Sequence, residues 1–171
     1  MAEKVLVLGL SKSGIAAAET AKKRGYEVYI TETKTPKKEF EKKISELKSV
    51  GIHIETEGHS DKFIENTSFA ITSPGIPPKS EIFKKLISKG VKIISEIEFA
   101  YLNTDIPFIV ITGTNGKTTT TALVSHILSR KYSAPACGNI GLPPSALIDE
   151  KHDFLVCEVS SFQAEMTKDF K

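Results

Sequence analysis

Several things are scarce in this 171-residue chain. It has only two cysteines, Cys137 and Cys157, which form neither a disulfide framework nor a zinc spacing. They read as reduced, buried apolar residues of a cytoplasmic protein. No apolar run approaches the roughly 20 residues of a membrane span. Met1 to Gly9 is too short before its first glycine turn for a signal peptide. Charge of one sign is also lacking: the net charge is +2, and the basic residues are spread except over Lys34 to Lys43, where acids interrupt them. That balance calls for neither nucleic acid nor a membrane as partner. His53, His59, His126 and His152 show no metal spacing and read as structural or solvent-facing. There is no internal repeat and no low-complexity segment.

What is present is an ordinary globular composition, 40% hydrophobic and 26% charged. The length fits one domain with room for a second. Short apolar runs alternate with amphipathic stretches. Strands are expected at Val5–Leu8, Glu27–Thr31, Ile52–Glu55, Phe69–Thr72 and Val91–Ile94. Helices are expected at Ile15–Arg24, from Pro36 to Gly51, and at Glu81–Ser88. This order requires crossovers and hence a mainly parallel sheet with both faces covered. Ser95 to Asp105 reads as a helix plus connector. A second series follows: strand Phe108–Ile111, a glycine loop, a helix over about 116–130, a strand near Ser133–Cys137, a Gly/Pro loop to Pro144, and strand Asp153–Glu158. Ser160 to Lys171 begins a helix. A three-stranded parallel sheet lacks cover for its faces, so the second domain reads as cut short.

The strongest motif is Ile111-Thr112-Gly113-Thr114-Asn115-Gly116-Lys117-Thr118-Thr119, between an apolar strand and a helix. That is the setting of a phosphate loop. Its backbone N–H groups and the helix N-terminus form an anion nest. Lys117 supplies a point charge for the β- and γ-phosphates, and Thr118 a hydroxyl for Mg²⁺. The general pattern places its first glycine at position 111, occupied by Ile111. The nearest glycine is Gly113, so the loop is a tighter variant.

Gly9-Leu10-Ser11-Lys12-Ser13-Gly14 resembles a dinucleotide fingerprint with Ser11 at the middle glycine. It can hold a diphosphate on the following helix or serve as a plain strand–helix turn. Glu32, about 20 residues on, is placed to meet a ribose hydroxyl. Ser73-Pro74-Gly75 lies at the ligand edge of a parallel sheet or is a simple turn. Glu158 ends a strand near the phosphate loop and reads either as a Mg²⁺ ligand or as a helix-start acid beside Ser160. Asn139, in Gly138-Asn139-Ile140-Gly141, also fits a turn that uses Asn for positive φ.

Gly113 to Thr119, Gly138 to Gly141 and Glu158-Val159-Ser160-Ser161-Phe162-Gln163 together resemble the Mur ligases, the ATP-dependent amide-forming enzymes of peptidoglycan precursor synthesis. Ser73-Pro74-Gly75-Ile76 and Ile94-Ser95-Glu96-Ile97-Glu98 also match. The early Gly9–Gly14 loop, Asn115 and the Ser-Ser-Phe-Gln run favour the D-glutamate-adding branch. The resemblance covers the whole chain but only part of the family's length. It implies an α/β architecture: a Rossmann-like UDP-binding domain with a parallel sheet over 1–97, then an incomplete P-loop domain over 98–171. The C-terminal amino-acid domain, the second metal site and a modified lysine lie beyond.

The resemblance also implies roles. ATP would be held by Gly113, Thr114, Asn115, Gly116, Lys117, Thr118 and Thr119, and Mg²⁺ by Thr118 and Glu158. The UDP diphosphate would meet Ser11, Lys12 and Ser13, with the charge contact of Lys12 open. Glu32, Thr33 and Lys34 would read the uracil end, and Ser73, Pro74 and Gly75 would line the same cleft. Asn139, Ser160 and Gln163 would lie near the muramoyl group or the diphosphate. The partners implied are UDP-N-acetylmuramoyl-L-alanine, D-glutamate and ATP, in the cytoplasm, with a full-length enzyme that is monomeric. The substrate carboxylate is phosphorylated by ATP, and the amine then displaces phosphate, with Lys117 as the catalytic cation. The 171 residues alone are expected to bind UDP-sugar, to bind ATP weakly or not at all, to self-associate and not to turn over. Two rivals stand: an NAD-dependent oxidoreductase, disfavoured by Ser11, and a non-catalytic nucleotide-binding module. Another amino-acid-adding branch of the same family is a further alternative.

Overall fold

The computed structural model describes residues 2–36, 38–165, 167 and 170. It divides into two units, Met1–Ile94 and Ser95–Lys171. No helix among the described residues is long and apolar enough to cross a membrane.

The first unit runs β1 (Lys4–Leu8), α1 (Lys12–Lys23), β2 (Glu27–Thr31), α2 (Glu41–Ser49), β3 (His53–Glu55), α3 (Asp61–Ile64), β4 (Phe69–Thr72), α4 (Glu81–Ser88) and β5 (Lys92–Ser95). Val5 to Leu8 are fully buried, as an apolar β-branched run must be when helices cover both faces of a parallel sheet. Alanines 16, 17, 18 and 21 form the buried face of α1. Their small side chains let the helix lie close to the strands. Each buried Leu or Ile contributes on the order of 2 kcal/mol.

The strand order is β3-β2-β1-β4-β5. β1 pairs in parallel with β2 and with β4, and β2 with β3. The chain therefore builds outward from β1 on one side, then crosses back to its other side as β4. A crevice opens where the order reverses, outside the C-terminal ends of β1 and β4, and ligands of doubly wound sheets bind at such points.

The second unit comprises α5 (Glu96–Tyr101), β6 (Phe108–Ile111), α6 (Lys117–Leu128), β7 (Ala136–Gly138), β8 (Leu155–Glu158) and α7 (Ser161–Glu165). Its sheet has the order β6-β8-β7 with parallel pairing throughout. Ile97, Ala100, Leu147, Leu155, Val159 and Phe170 form its core with both cysteines. Tyr101, Phe108 and Phe170 meet edge to face, with centroids 5.2 to 5.9 Å apart. Cys137 and Cys157 are register partners on β7 and β8 and both are free thiols. The neighbouring Cys137 sulfur, with burial, pushes the Cys157 thiol up and keeps it protonated. On α6, by contrast, only Thr121 is buried, and Leu123 and Ile127 stay exposed, as does Val110 on β6.

Two acids sit inside this unit. Glu96 Oε1 accepts from the Ser145 N–H at 2.7 Å, and Glu98 Oε2 from the Phe170 N–H at 3.1 Å. Burial lifts the Glu96 carboxyl to about 7 against the opposing pull of Ser145.

Four local differences from the sequence reading have physical causes or limits. The helix expected from Pro36 begins only at Glu41, after a 3₁₀ turn over Lys38–Phe40. The strand expected at Ser133–Cys137 is Ala136–Gly138, because Ser133 is engaged instead with Asp153, accepting and donating across the loop. The four-residue α3 is too short to show a helical period. The helix expected over 160–171 is seen as Ser161–Glu165, and its continuation over 166, 168, 169 and 171 lies outside the described residues.

Candidate functional site

In the first unit the loop after β1 turns directly into α1. Ser11 is the N-cap, and its Oγ accepts from the Gly14 N–H at 3.2 Å. Ser11 thus takes over part of the capping a first turn needs, while the N–H groups of Lys12 and Ser13 have no partner within the helix. Gly14 is required by approach: a Cβ there would lie 2.1 Å from the Gly9 carbonyl oxygen. The third glycine of the fingerprint thus keeps its role, close packing of helix on strand.

Ser11 Oγ also donates to Ser73 Oγ at 3.0 Å, joining the loops after β1 and β4. Glu32 reaches the same place from β2. Its Oε2 accepts from the Leu10 N–H at 3.0 Å, and its Oε1 from the Lys34 N–H at 3.0 Å and the Thr33 hydroxyl at 3.3 Å. Burial pushes the Glu32 carboxyl up, but these donors outweigh it and hold it below its ordinary value. Glu32 therefore fastens two loops together, with lone pairs left over for a ligand hydroxyl.

A cleft of about 320 Å³ opens here, lined among others by Gly9, Ser11, Glu32, Thr33, Lys34, Ser73 and Gly75. Lys12, Ser13 and Pro74 are not among its lining residues. Sequence reasoning missed Thr31 and His59, which do line it. Thr31 Oγ1 lies 2.7 Å from His59 Nδ1 and 2.8 Å from Glu55 Oε1. The signal for this is the β2–β3 register, which sets Thr31 opposite Glu55.

In the second unit the segment after Ile111 turns through Gly113 at φ +144° and Gly116 at φ +74°, both outside the range comfortable for other residues. Gly116 is the N-cap of α6 and supplies no side-chain cap. The Thr120 N–H is the first to bond back, to the Gly116 carbonyl at 2.9 Å. The N–H groups of Lys117, Thr118 and Thr119 thus have no partner within the helix, which suits an anion at a helix start. Lys117 Nζ donates to the carbonyls of Gly113 at 2.8 Å and Thr114 at 3.3 Å, so the ammonium sits over its own loop. Thr114, Asn115, Thr118 and Thr119 are exposed.

Glu158 ends the central strand, paired with Ile111 on β6 and Gly138 on β7. Its side chain is 2% exposed. Oε1 accepts from Asn139 Nδ2 at 3.0 Å, whereas Oε2 is buried with no hydrogen-bond partner among the described residues. A buried, partnerless carboxylate oxygen is costly in water-excluded surroundings unless a cation meets it. The residues present therefore fit a divalent ion. Gly138 allows the geometry: a Cβ on it would lie 2.3 Å from the Glu158 carbonyl oxygen.

Asn139 does not take the positive φ that a turn asparagine could have explained. Ser160 and Gln163 form a reciprocal capping box on α7. The Ser160 N–H donates to Gln163 Oε1 at 2.9 Å, and the Gln163 N–H to Ser160 Oγ at 3.3 Å. These two side chains shape the helix start that follows Glu158.

Comparison with known proteins gives a consistent picture. Residues 3–95 match the model of the Mur ligase MurD-like N-terminal domain, and residues 111–170 that of the Mur ligase middle domain. The UDP-N-acetylmuramoylalanine–D-glutamate ligase of Cytophaga hutchinsonii is 42% identical over 175 aligned residues, covering all of this chain and 38% of that protein. The enzyme of the same name from Ligilactobacillus salivarius is 42% identical over 166, covering 94% of this chain and 36% of its own length. The chain thus spans well under half the length of these relatives. Among solved structures, the UDP-N-acetylmuramate:L-alanyl-gamma-D-glutamyl-meso-diaminopimelate ligase from Neisseria meningitides superposes with a TM-score of 0.58 at 16% identity, covering 95% of this chain and 55% of that one. The UDP-N-acetylmuramate-alanine ligase of Thermotoga maritima gives 0.53 at 22% identity, covering 92% and 37%. At such identities the likeness is one of fold.

Proposed function

Because this chain belongs to the Mur ligase family, we propose that it carries the UDP-sugar-binding and phosphate-loop parts of an ATP-dependent ligase that joins D-glutamate to UDP-N-acetylmuramoyl-L-alanine. The observation that carries the reading is Glu158. Its buried oxygen, without a hydrogen-bond partner among the described residues, lies on the strand next to the one that feeds the proposed phosphate loop.

A carboxylate is a poor acyl donor in water. In the proposed reaction the carboxylate of the sugar-linked alanine attacks the γ-phosphorus of ATP, ADP leaves, and an acyl phosphate forms. The amine of D-glutamate attacks its carbonyl carbon, phosphate leaves, and the amine proton is lost. The first step brings two anions together, so the chain must supply positive charge there. Lys117 would exchange the Gly113 and Thr114 carbonyls for phosphate oxygens, and the free N–H groups at the start of α6 would hold the polyphosphate. Glu158, steadied by Asn139, and the Thr118 hydroxyl would hold Mg²⁺, which when bound neutralises charge on the phosphates.

The cleft at β1 and β4 would take the UDP part of the sugar nucleotide, with the diphosphate on the α1 N-terminus and the base toward Glu32, Thr33 and Lys34. Ser160 and Gln163 would act by setting the start of α7. The reading places the chain in the cytoplasm, where both nucleotides are made. The exposed Val110, Leu123 and Ile127 favour self-association of the 171 residues, which sedimentation at rising concentration would reveal.

Calorimetric titration of the 171-residue chain with UDP-N-acetylmuramoyl-L-alanine, and a phosphate-release assay on a chain of the relatives' full length, test the proposal. The expected results are saturable UDP-sugar binding and phosphate release that needs both D-glutamate and ATP. Release that ignores D-glutamate would overturn it.

A further inference from the structure

His59 comes from the turn after β3, 28 residues from its partner Thr31. Thr31 Oγ1 has three neighbours: Glu55 Oε1 at 2.8 Å, the Gly58 carbonyl at 3.0 Å and His59 Nδ1 at 2.7 Å. A hydroxyl has one hydrogen, and a carboxylate or carbonyl oxygen can only accept it. Sending the hydrogen to Glu55 or Gly58 while Nδ1 donates to the hydroxyl oxygen satisfies two of the three contacts, against one if the hydrogen goes to Nδ1, so Nδ1 is assigned as the donor. Glu55 is itself fixed by the N–H and hydroxyl of Ser60, at 3.0 and 2.6 Å. The network thus sets one tautomer, with hydrogen on Nδ1 and a bare Nε2. Among the described residues Nε2 has no hydrogen-bond partner, and His59 lines the cleft beside Glu32, Thr33 and Lys34.

The charged groups around the ring are Glu32 and Lys34 after β2, Glu55 on β3, Asp61 on α3, and Glu81, Lys84 and Lys85 on α4. Lys85 Nζ pairs with Asp61 at 3.0 Å and donates to the His59 carbonyl at 3.4 Å. Burial lowers the ring's affinity for a second proton, aided by Lys85 and opposed by Glu55 and Glu32. Near neutral pH the ring is uncharged and Nε2 is an acceptor.

We infer that His59 is a specificity-determining residue of this cleft, its Nε2 accepting the N3–H of a uracil base. The inference rests on the UDP-sugar reading above. Uracil presents a donor at N3, whereas cytosine presents a bare nitrogen there that would face Nε2 acceptor to acceptor. A site that leaves a polar group unpaired with the wrong ligand discriminates strongly.

The test is competition binding of UDP, CDP and N3-methyl-UDP to the 171-residue chain, with His59→Phe and His59→Gln alongside. Wild type is expected to favour UDP over CDP and over N3-methyl-UDP by about tenfold or more. It should lose UDP affinity as the pH falls below the ordinary histidine range and the ring charges. His59→Phe should bring UDP and CDP to within about twofold of each other. His59→Gln, whose amide oxygen can stand in for Nε2, should restore part of the preference. An unchanged preference in His59→Phe, or equal wild-type affinity for UDP and N3-methyl-UDP, would overturn the assignment while leaving the cleft reading intact. The methylated probe needs no variant, so a His59→Phe that failed to fold would not shield the idea. Absence of any UDP binding by wild type would overturn both.

Discussion

Asn139 grips Glu158 twice: its Nδ2 donates to Oε1 at 3.0 Å, and its backbone N–H donates to the Glu158 carbonyl at 2.9 Å. One carboxylate oxygen is thus orientated by the loop after β7, and the other has no hydrogen-bond partner among the described residues, where the proposed cation would bind. Asparagine suits this better than aspartate, since it donates where aspartate would repel.

Asn139→Ala should raise the Mg²⁺ concentration needed for half-maximal ATP-dependent activity by about ten- to a hundredfold in a chain of the relatives' full length, as loss of a group that orientates a metal ligand does elsewhere. Asn139→Asp should be worse. A Mg²⁺ titration indistinguishable from wild type would remove Asn139 from the site.

Lys117→Ala should abolish ATP-dependent phosphate transfer, a loss of at least 10²- to 10³-fold. UDP-sugar affinity should stay within about twofold, since Lys117 and the cleft belong to different units. Paired calorimetry and turnover measurements read both quantities. Equal loss of the two would point to a folding defect rather than a missing cation.

Gly14→Ala should destabilise the first unit by about 3 kcal/mol, because the obstruction is backbone and cannot rotate away. The shift would appear in urea unfolding followed by circular dichroism. A variant as stable as wild type would mean that α1 can move off β1 at little cost.

Glu96 gives a pH dependence with a definite sign. Its folded-state value of about 7 lies above the ordinary 4.5, so the folded chain binds that proton more tightly than the unfolded one. The resulting stability is complete below about pH 4.5 and is lost as the pH rises through about 7, an effect of roughly 3 kcal/mol. Glu96→Gln keeps an acceptor for the Ser145 N–H and should flatten this decline. Urea midpoints at pH 5, 6, 7 and 8 measure it, and a parallel slope in wild type and variant would assign the decline to other groups.

The glycine turn between β6 and α6 was legible as a shape because its backbone physics is local: an apolar strand, glycines that take positive φ, then a lysine at a helix start. Among the described residues seven of the eight strands, all but β7, were legible to within two residues for the same reason, as short apolar or β-branched runs between turn residues. His59 was not, because its meaning comes from a register partner on another strand and from a hydroxyl with too few hydrogens. Ser160 and Gln163 were legible as a motif but not as a cap, although the three-residue spacing carries that signal. Glu158 lay in between. Its position at a strand end can be read from the chain, whereas the buried oxygen without a partner among the described residues, which supports the proposed metal role, exists only after β7 and β8 pair.

The Ser11–Ser73 hydroxyl contact has a consequence for kinetics. It ties segments 62 residues apart in the lining of the first unit's cleft, so the two walls would already be in register when the proposed nucleotide arrives. Little ordering is then left for the binding event itself, and tight binding can come from slow escape rather than from a closing motion.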